Sequence, residues 1–385
     1  MSTAVPPVTS KLPDVGVTIF SVMTRLAVEH GAINLAQGFP DFDCDPALVS
    51  AVASYMKQGN NQYAPMPGVL ALREALASKI HRWQGARYDP ATEITITSGA
   101  TEALFCAIAA FVGPGDEVVI VEPCYDSYVP VVRLNRGRPV FVTLRYPDYR
   151  LDWDEMRRAV TPRTRMVILN SPHNPTGQVL TLGDLHHLAD ILEGTPAIVL
   201  SDEVYEHVVF DGLEHCSACR VPALAARSCV VSSFGKTFHT TGWKIGYVSA
   251  PAPLTAEIQR VHQFVTFASH TPTQLAYAEM VRARTDYSDL ATFYQRKRDG
   301  FLALLQGSRF RPIPCRGTYF QLLDYSAVSS EHDRDFAMRL LRERLVASIP
   351  TSAFLYASQA PPVLRFCFAK RDETLERAAE RLRAV

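Results

Sequence analysis

Side-chain amines that can lose a proton are scarce in this 385-residue chain. A count of the sequence gives seven lysines and 32 arginines among its 39 basic residues. Arginine does not lose its proton in a protein, so chemistry that needs a neutral amine has few candidates. Lys236 and Lys244 are the only lysines between Lys79 and Lys297. A lone lysine is usually a solvated surface group, but the preference of this chain for arginine suggests a specific role at these two positions.

Two further candidate segments directly follow apolar runs that predict β-strands. The run 93–97 leads into 98–101 (Ser-Gly-Ala-Thr), where small residues and the start of a helical pattern leave backbone N–H groups open to an anion such as a phosphate. The run 117–121 is followed by Tyr125, an aromatic ring at the mouth of such a site. Taken alone, small residues before a helix are common, and Tyr125 is better explained as a half-buried tyrosine at a strand end.

Polar side chains follow two later predicted strands, at 166–169 and 197–200. Asn174 lies in the segment 170–177 (Asn-Ser-Pro-His-Asn-Pro-Thr-Gly), whose prolines and asparagines predict a rigid turn that presents amide groups. An ordinary turn explains this segment equally well. Asp202 and Tyr205 follow the next apolar run, and a carboxylate at a buried strand end is costly unless a cation meets it. A helix N-cap at Ser201 or Asp202 is the alternative explanation.

A mostly parallel sheet is the element that would bring these residues together. Short apolar runs alternate with helical patterns and predict about seven strands, at 93–97, 117–121, 139–144, 166–169, 197–200, 229–232 and 242–250. Ligands of such sheets bind beyond the carboxyl ends of the strands, so the candidate residues would converge there. From residue 272 onward, long helical patterns at 272–283 and 289–305 and a strand at 363–368 predict a smaller α+β domain.

The predicted fold class is therefore α/β, with two domains. We expect residues 1–45 to form an N-terminal arm and part of the small domain. Residues 46–285 would form the large, cofactor-binding domain, and residues 286–385 the small C-terminal domain.

One small molecule needs an amine, a carboxylate, a phosphate site, an aromatic ring and a polar side chain together, and that molecule is pyridoxal 5′-phosphate (PLP). Its aldehyde forms a Schiff base with a lysine. Its ring nitrogen needs a carboxylate to stay protonated, so that the ring can act as an electron sink. The ring stacks on an aromatic side chain, and the 3-oxygen needs hydrogen-bond donors. Each motif is weak evidence alone, whereas their joint order is specific.

Three motifs resemble those of the class I/II aminotransferases of PLP fold type I. They are Asn-Pro-Thr-Gly at 174–177, Asp-Glu-Val-Tyr at 202–205, and Ser-Phe-Gly-Lys-Thr-Phe at 233–238 followed by Gly-Trp-Lys at 242–244. The run 34–42 (Asn-Leu-Ala-Gln-Gly-Phe-Pro-Asp-Phe), with Asn-Gln-Tyr at 61–63, is similar to the kynurenine aminotransferase/glutamine transaminase K subgroup, and more closely to its bacterial methionine aminotransferases. The resemblance extends from about residue 15 to the end, and it indicates cofactor and fold better than substrate.

This resemblance implies a PLP-dependent transferase of fold type I, a homodimer with shared active sites. It would move the amino group of an L-amino acid to a 2-oxo acid by a ping-pong route. Lys236 would form the Schiff base and carry the proton between the substrate Cα and the cofactor C4′, while Asp202 would pair with the ring nitrogen. The resemblance also implies that Tyr205 and Asn174 contact the 3-oxygen and that Tyr125 stacks on the ring. The implied phosphate contacts are Ala100, Thr101, Ser233 and Lys244, together with Tyr63 of the other subunit. The implied substrate contacts are Arg365, Asn174 and Gly38.

Two expectations refine this site. Lys236 must be neutral to attack, and we expect burial together with the charge of Lys244 to lower its pKa. The amino donor is predicted to be methionine, an aromatic amino acid or glutamine, because no second arginine is identifiable as a clamp for a distal carboxylate. The apolar candidates for the side-chain pocket are Ile19, Phe20, Phe267 and Phe354.

Three alternatives accompany this interpretation. A PLP-dependent carbon–sulfur β-lyase would use the same scaffold. A PLP-binding transcription regulator would need an added DNA-binding module, but only about 30 residues precede the Asn34 motif and the net charge is zero. A zinc site at Cys216 and Cys219 would need further ligands such as His207 and His215, whereas most intracellular cysteines are simply small hydrophobic residues. No bound metal is expected.

Composition excludes other classes of protein. Hydrophobic residues make up 47% of the chain and charged residues 20%, and 39 basic residues balance 39 acidic ones. Such values exclude a disordered chain, a coiled coil and a collagen, and they give no electrostatic reason for a nucleic-acid or membrane partner. The sequence contains no apolar run long enough to span a membrane and no signal peptide at its start. We therefore expect a soluble cytoplasmic protein.

Overall fold

Most strands of the protein are the β-branched runs that the sequence predicts. The computed structural model describes residues 8–385. Its strands are β1 (Ile33–Asn34), β2 (Ile94–Thr97), β3 (Glu117–Glu122), β4 (Arg138–Thr143), β5 (Thr164–Asn170), β6 (Ile198–Asp202), β7 (Ser228–Ser233), β8 (Gly246–Ser249), β9 (Arg311–Pro312), β10 (Phe320–Asp324), β11 (Val346–Ala347), β12 (Ile349–Pro350) and β13 (Val363–Cys367).

Helices connect most of these strands. They are α1 (Ile19–Glu29), α2 (Pro46–Lys57), α3 (Leu70–Gln84), α4 (Ala100–Phe111), α5 (Tyr128–Leu134), α6 (Trp153–Ala159), α7 (Leu182–Leu192), α8 (Pro222–Ala225), α9 (Phe234–Thr237), α10 (Ala252–Val265), α11 (Thr271–Ala283), α12 (Ser288–Leu304), α13 (Asp333–Arg344) and α14 (Asp372–Arg383). None of the helices within residues 8–385 is long and apolar enough to cross a membrane.

A seven-stranded sheet forms the centre of the molecule, in the order β2-β8-β7-β6-β5-β3-β4. Strands β3 to β7 run parallel to one another, whereas β8 runs antiparallel to both β2 and β7. The prediction of a mostly parallel sheet is confirmed. Because β3, β5, β6 and β7 point the same way, the segments that follow them meet at one edge.

Helices cover both faces of this sheet, as the continuous apolar runs predict. In β3, Val118 and Ile120 pack with residues of α4, α5 and α10 on one face. Val119 and Val121 pack with residues of α6 and α7 on the other face. The alternation follows from the two-residue period of a strand, and each fully buried side chain contributes roughly 1.5–3 kcal/mol to stability.

One predicted strand is shorter than expected. The sequence predicts a strand over 242–250, but β8 begins only at Gly246. Residues Thr241–Trp243 form a single 3₁₀ turn, and Lys244 adopts a left-handed conformation with φ 53°. The turn places the Lys244 side chain against the start of α4, where it contacts Thr101, so this segment positions a side chain instead of extending the sheet.

The two ends of the chain build a second, smaller unit. Strands β12-β13-β10-β9 form an antiparallel sheet, and β1 pairs with β11 in parallel. Met23, Ile33 and Leu35 share one apolar cluster with Val346 and Phe366. The N-terminal segment thus packs with C-terminal elements. The boundaries proposed above, at 45/46 and 285/286, stay predictions.

Candidate active site

A cavity of about 400 Å³ lies beyond the carboxyl ends of the parallel strands. It is lined from several strand ends at once and from β13 of the smaller unit. The predicted site residues that line it are Gly38, Ala100, Thr101, Tyr125, Asn174, Asp202, Tyr205, Ser233, Lys236, Lys244 and Arg365. The structure therefore brings these residues together, although their individual roles remain predictions.

Lys236 lies in the one-turn helix α9, directly after β7. Its Nζ donates a hydrogen bond to the Tyr319 hydroxyl at 3.0 Å and lies 5.5 Å from the ring centroids of Tyr205 and Tyr319. Burial lowers the pKa of Lys236 to about 8, and the charge of Lys244 contributes to this shift. The expected direction and both expected causes are confirmed. An amine with this pKa gives up its proton far more readily than an ordinary lysine.

Asp202 is the last residue of β6 and is only 4% exposed. Its Oδ2 accepts a hydrogen bond from the Tyr128 hydroxyl at 2.6 Å, and its Oδ1 accepts one from the Val204 N–H at 3.3 Å. Burial raises the pKa of Asp202 to about 6, although the bond from Tyr128 works in the opposite direction. A cation placed against this carboxylate would hold it ionised.

Asn170, at the end of β5, supports both Asp202 and Asn174. Its Nδ2 donates to the Asp202 carbonyl at 2.8 Å, and its Oδ1 accepts from the Asn174 N–H at 2.7 Å. Tyr128 and Asn170 were not among the predicted site residues. Both lie after or at the end of a predicted strand, and this location is the sequence feature that could have identified them.

The start of α4 forms a cup for an anion. The first N–H groups of a helix have no partner within the helix, and here they belong to Ala100 and Thr101. Lys244 Nζ donates to Thr101 Oγ1 at 3.3 Å, which adds a positive charge beside these amides. Gly99 has φ 78°, and a Cβ at this residue would lie 3.2 Å from both Cε and Nζ of Lys244. Glycine therefore keeps the space between the amides and the lysine open.

Arg365, in β13, is 1% exposed and has two of its nitrogens engaged. Nη1 donates to Asn174 Oδ1 at 2.8 Å, and Nη2 donates to the Ala36 carbonyl at 2.9 Å. Its Cζ lies 3.9 Å from the ring centroid of Phe320. Burial lowers the pKa of Arg365 to about 10, so the group stays cationic at neutral pH. Within residues 8–385 its Nε has no hydrogen-bond partner, which leaves a donor for a carboxylate.

Tyr319 links Lys236 to the N-terminal segment. Its hydroxyl donates to the Gly38 carbonyl at 2.6 Å and accepts from Lys236. A Cβ at Gly38 would lie 2.7 Å from Phe320 Cζ, so the backbone at this position packs directly against an aromatic ring. Neither Tyr319 nor Phe320 was predicted, because nothing in the local sequence of β10 distinguishes them from core aromatics.

The four candidates for the side-chain pocket lie in three places. Phe20 lines the cavity, and Phe354 packs edge-to-face against it with ring centroids 5.8 Å apart. Ile19 packs into the neighbouring core rather than lining the cavity. Phe267 is 42% exposed and lies edge-to-face with Tyr63 at 5.7 Å, away from the cavity of its own chain.

Tyr63 is 85% exposed and does not line the cavity. Its predicted contact is with the phosphate of another subunit, so its position on one chain leaves that prediction untested.

The residues of the alternative zinc site have other partners. His215 Nε2 lies 2.9 Å from Glu203 Oε2, and the His207 ring stacks on Tyr287 with centroids 3.9 Å apart. Within the described chain, residues 8–385, these histidines do not form a ligand group with Cys216 and Cys219.

The chain is similar to known aminotransferases. The family model described as aminotransferase class I and II matches residues 30–382. The chain is 50% identical over 377 residues to the methionine aminotransferase of Escherichia coli (strain K12), a match that covers 98% of each chain. It is 41% identical over 386 residues to a probable N-succinyldiaminopimelate aminotransferase of Mycobacterium tuberculosis (97% of each). It is 33% identical over 395 residues to kynurenine–oxoglutarate transaminase 1 of Homo sapiens (93% of each).

The fold gives the same result. A solved structure from Escherichia coli, described as having a methionine aminotransferase function, superposes with a TM-score of 0.96 at 49% sequence identity. The superposition covers 98% of this chain and 100% of that one.

Proposed function

The chain belongs to the class I and II aminotransferases, and from this premise we propose that it uses PLP to move the amino group of methionine, or of an aromatic amino acid or glutamine, to a 2-oxo acid. One observation carries the proposal. A lysine with a lowered pKa, a buried carboxylate and an anion cup line a single cavity at the strand ends. The relatives named above are all aminotransferases, and they give no support to the β-lyase alternative.

The residues of the cavity fit this cofactor. Glycine at 99 and 246 leaves room where a Cβ would crowd Lys244 or the Ala100 N–H, so the cup is open to a phosphate. Asp202 is a buried carboxylate whose pKa is raised by burial, so a cationic ring nitrogen beside it would stabilise its charged form. When bound, PLP supplies an aldehyde that takes up the amino group and an electron-poor ring that accepts charge from the substrate carbon.

The chain's own side chains would then orient the reactants and move protons. Lys236, bonded to Tyr319, would take a proton from the substrate Cα once its amine is neutral. Asp202, held by Tyr128, would keep the ring nitrogen protonated. Arg365 would bind the substrate α-carboxylate as a charge-assisted hydrogen-bond donor, with Asn174 at its side.

The wall of the cavity favours a donor with a neutral side chain. Leu104, Phe20 and Phe320 are apolar, and Arg365 is the one arginine among the described residues 8–385 that line it. A donor with a distal carboxylate would therefore lack a cationic partner beyond Lys236 and Lys244, which are assigned to the cofactor. Burying such a carboxylate unpaired is costly. This contrast separates methionine from N-succinyldiaminopimelate as the donor.

A donor panel tests the proposal. We expect the enzyme loaded with PLP to convert L-methionine, L-phenylalanine or L-glutamine to the 2-oxo acid with a higher kcat/KM than L-aspartate or N-succinyl-LL-diaminopimelate. Phe20→Ala should raise KM for the apolar donors, whereas Ile19→Ala, a neighbour that does not line the cavity, should not. Preference for N-succinyl-LL-diaminopimelate would overturn the donor assignment, and the absence of keto-acid-dependent turnover with every donor would overturn the reaction.

Two further features belong to this proposal. A homodimer, in which Tyr63 of each subunit completes the phosphate site of the other, is supported by the exposed position of Tyr63 beside Phe267. A cytoplasmic location is supported by the eight cysteines, all of them free.

A further inference from the structure

His262, on α10, lies behind the phosphate cup and is completely buried. Its Nδ1 is 2.7 Å from Glu102 Oε1, in the first turn of α4. Its Nε2 is 3.0 Å from the carbonyl oxygen of Met66, three residues beyond Tyr63. One imidazole therefore bridges the helix that forms the cup and the loop that carries the exposed tyrosine.

Both partners of His262 are hydrogen-bond acceptors. A carbonyl and a carboxylate oxygen accept hydrogen bonds, and a ring N–H of histidine is the donor that either contact can use. Burial acts to raise the pKa of Glu102, but hydrogen bonds from His262 and from the Ser98 N–H outweigh it and leave the pKa below its usual value. The arrangement is a buried carboxylate–imidazole pair with further hydrogen bonds. Removing one member of such a pair is costly, because the other is left buried without a partner.

The cup end of this bridge fixes the direction of the first amides of α4. Glu102 Oε2 accepts the Ser98 N–H, one residue before Gly99. Thus Glu102 holds the turn that leads into Ala100 and Thr101. Movement of Glu102 would change the direction in which the N–H groups assigned to the phosphate point.

The loop end fixes the segment that carries Tyr63. The Gln62 carbonyl accepts from Thr271 Oγ1 at 2.7 Å, and the Pro67 carbonyl accepts from the Ile96 N–H at 3.0 Å. Between these two attachments, and among the described residues 8–385, the hydrogen bond from His262 to Met66 is the one that ties the loop to α10 and, through Glu102, to the cup. Without it the loop keeps its ends but loses its connection to α4.

We propose that His262 is a positioning residue of the phosphate site. It fixes the position of the cup relative to the loop that carries Tyr63 in each subunit. This inference rests on the proposed function, in which Tyr63 binds the phosphate in the partner's cup. His262 does not line the cavity itself. In a dimer the bridge would also connect the two sites, since each loop belongs to one subunit and completes the cup of the other.

Two substitutions of His262 remove its two hydrogen bonds one at a time. The amide nitrogen of asparagine lies near the Nδ1 position of histidine, and that of glutamine near Nε2. His262→Asn should therefore keep the donor to Glu102 and lose the donor to Met66, and His262→Gln should do the reverse. The matched control is Gln259→Ala on the same helix, because Gln259 bonds Thr95 Oγ1 at 2.9 Å and contacts neither the loop nor the cup.

The measurement is the dissociation constant of PLP for the apoenzyme, with each variant made in the wild-type and Tyr63→Phe backgrounds. We expect His262→Asn to raise it about tenfold in the wild-type background. In the Tyr63→Phe background the same change should have little effect, because that loop no longer contacts the phosphate. His262→Gln should weaken binding in both backgrounds, and Gln259→Ala in neither. Pyridoxal, which lacks the phosphate, should bind all variants alike.

Several outcomes would overturn the inference. One is a normal PLP affinity of His262→Asn, and another is an equal loss of PLP affinity in the wild-type and Tyr63→Phe backgrounds. A third is a loss of pyridoxal affinity as large as the loss of PLP affinity, which would indicate general damage to the core. A metal ion bound stoichiometrically by Glu102, Cys106 and His262, and lost in both variants, would do so as well. If Tyr63→Phe binds PLP normally, the shared phosphate site is wrong, and so is the proposed role of the hydrogen bond from His262 to Met66. A wild type that binds no PLP overturns the proposed function itself.

Discussion

Lys236 owes its proposed reactivity to burial, because desolvation disfavours the charged amine and lowers its pKa to about 8. The neutral form therefore increases as the pH rises through about 8, whereas an ordinary lysine would need a pH above 10. We predict that covalent capture of PLP by the apoenzyme, measured as intact mass after borohydride reduction, rises with pH with a midpoint near 8. Lys236→Ala should bind PLP without any covalent capture.

Lys244→Ala is the control for this prediction. It removes the other lysine of the cavity, so it should weaken PLP binding but keep the covalent step. Covalent capture by Lys236→Ala, or a midpoint above pH 10 in the wild type, would show that Lys236 is not the reacting amine.

The burial of Asp202 costs stability, and its proposed role in catalysis explains why such a cost is kept. Burial raises its pKa from 3.8 to about 6, so the folded apoenzyme holds an ionised carboxylate at pH 7 at a cost of at most about 3 kcal/mol. We predict that Asp202→Asn raises the Tm of the apoenzyme at pH 7 and lowers kcat severely, because the ring nitrogen loses its anion. The gain in Tm should disappear as the pH falls through 6 towards 4, where Asp202 becomes protonated. An unchanged kcat with saturating PLP would contradict the role of Asp202.

At the scale of elements, the close approach of β8 to the start of α4 builds the cup. Gly246 makes this possible, because a Cβ there would lie 2.6 Å from the Ala100 nitrogen and 2.8 Å from the Ser232 carbonyl oxygen. All of these neighbours are backbone, so Gly246→Ala must push strand and helix apart. We predict a loss of roughly 1–3 kcal/mol in unfolding free energy and a weaker binding of PLP.

Gly242→Ala is the matched control for this change, since nothing lies within 4 Å of a Cβ at Gly242. Urea unfolding of both variants gives the stability, and titration with PLP gives the affinity. Equal behaviour of the two variants would show that the cup tolerates a wider spacing.

The same elements show what the sequence could and could not predict. The strands and the residues at their ends, such as Asp202 and Lys236, were predictable because apolar runs and the residues that follow them are local patterns. The left-handed Lys244 was not, because the partner of its side chain is Thr101, 143 residues earlier in the chain. Tyr128 and Tyr319 were missed for the same reason, since they meet their partners across 74 and 83 residues.

At the scale of the whole molecule, the proposed substrate site depends on both ends of the chain. The Leu35 N–H donates to the Ala347 carbonyl, and the Cys367 N–H donates to the Leu35 carbonyl. These bonds place Gly38 beside the lysine of the large sheet and Ala36 beside Arg365. Arg365, assigned to the α-carboxylate, and Lys236, assigned to the cofactor, thus belong to different units, so the geometry between them depends on how the smaller unit docks on the larger one.

An exposed aromatic group suggests that a second copy of the chain completes this assembly. Tyr63 and Phe264 are 85% and 86% exposed, and Phe267 lies against the Tyr63 ring. Aromatic side chains exposed together often mark an interface between proteins. If the Tyr63 hydroxyl reaches the phosphate of the partner, Tyr63→Phe removes one hydrogen bond to a charged group. The expected loss is roughly 1.5–3 kcal/mol, or about ten- to a hundredfold in PLP affinity.

A mixing experiment tests whether the site is shared. Subunits with Tyr63→Phe are combined with subunits with Lys236→Ala under conditions that exchange subunits, and transamination is measured at limiting PLP. In a mixed dimer the damaged Tyr63 faces the site that already lacks its lysine, while the other site has both groups intact. Activity should therefore rise above that of either parent. The control replaces the second partner with the double variant Tyr63→Phe/Lys236→Ala, in which no site of a mixed dimer is whole, so no recovery is expected. Recovery in neither mixture, although Tyr63→Phe alone is impaired, would mean that Tyr63 acts within its own chain.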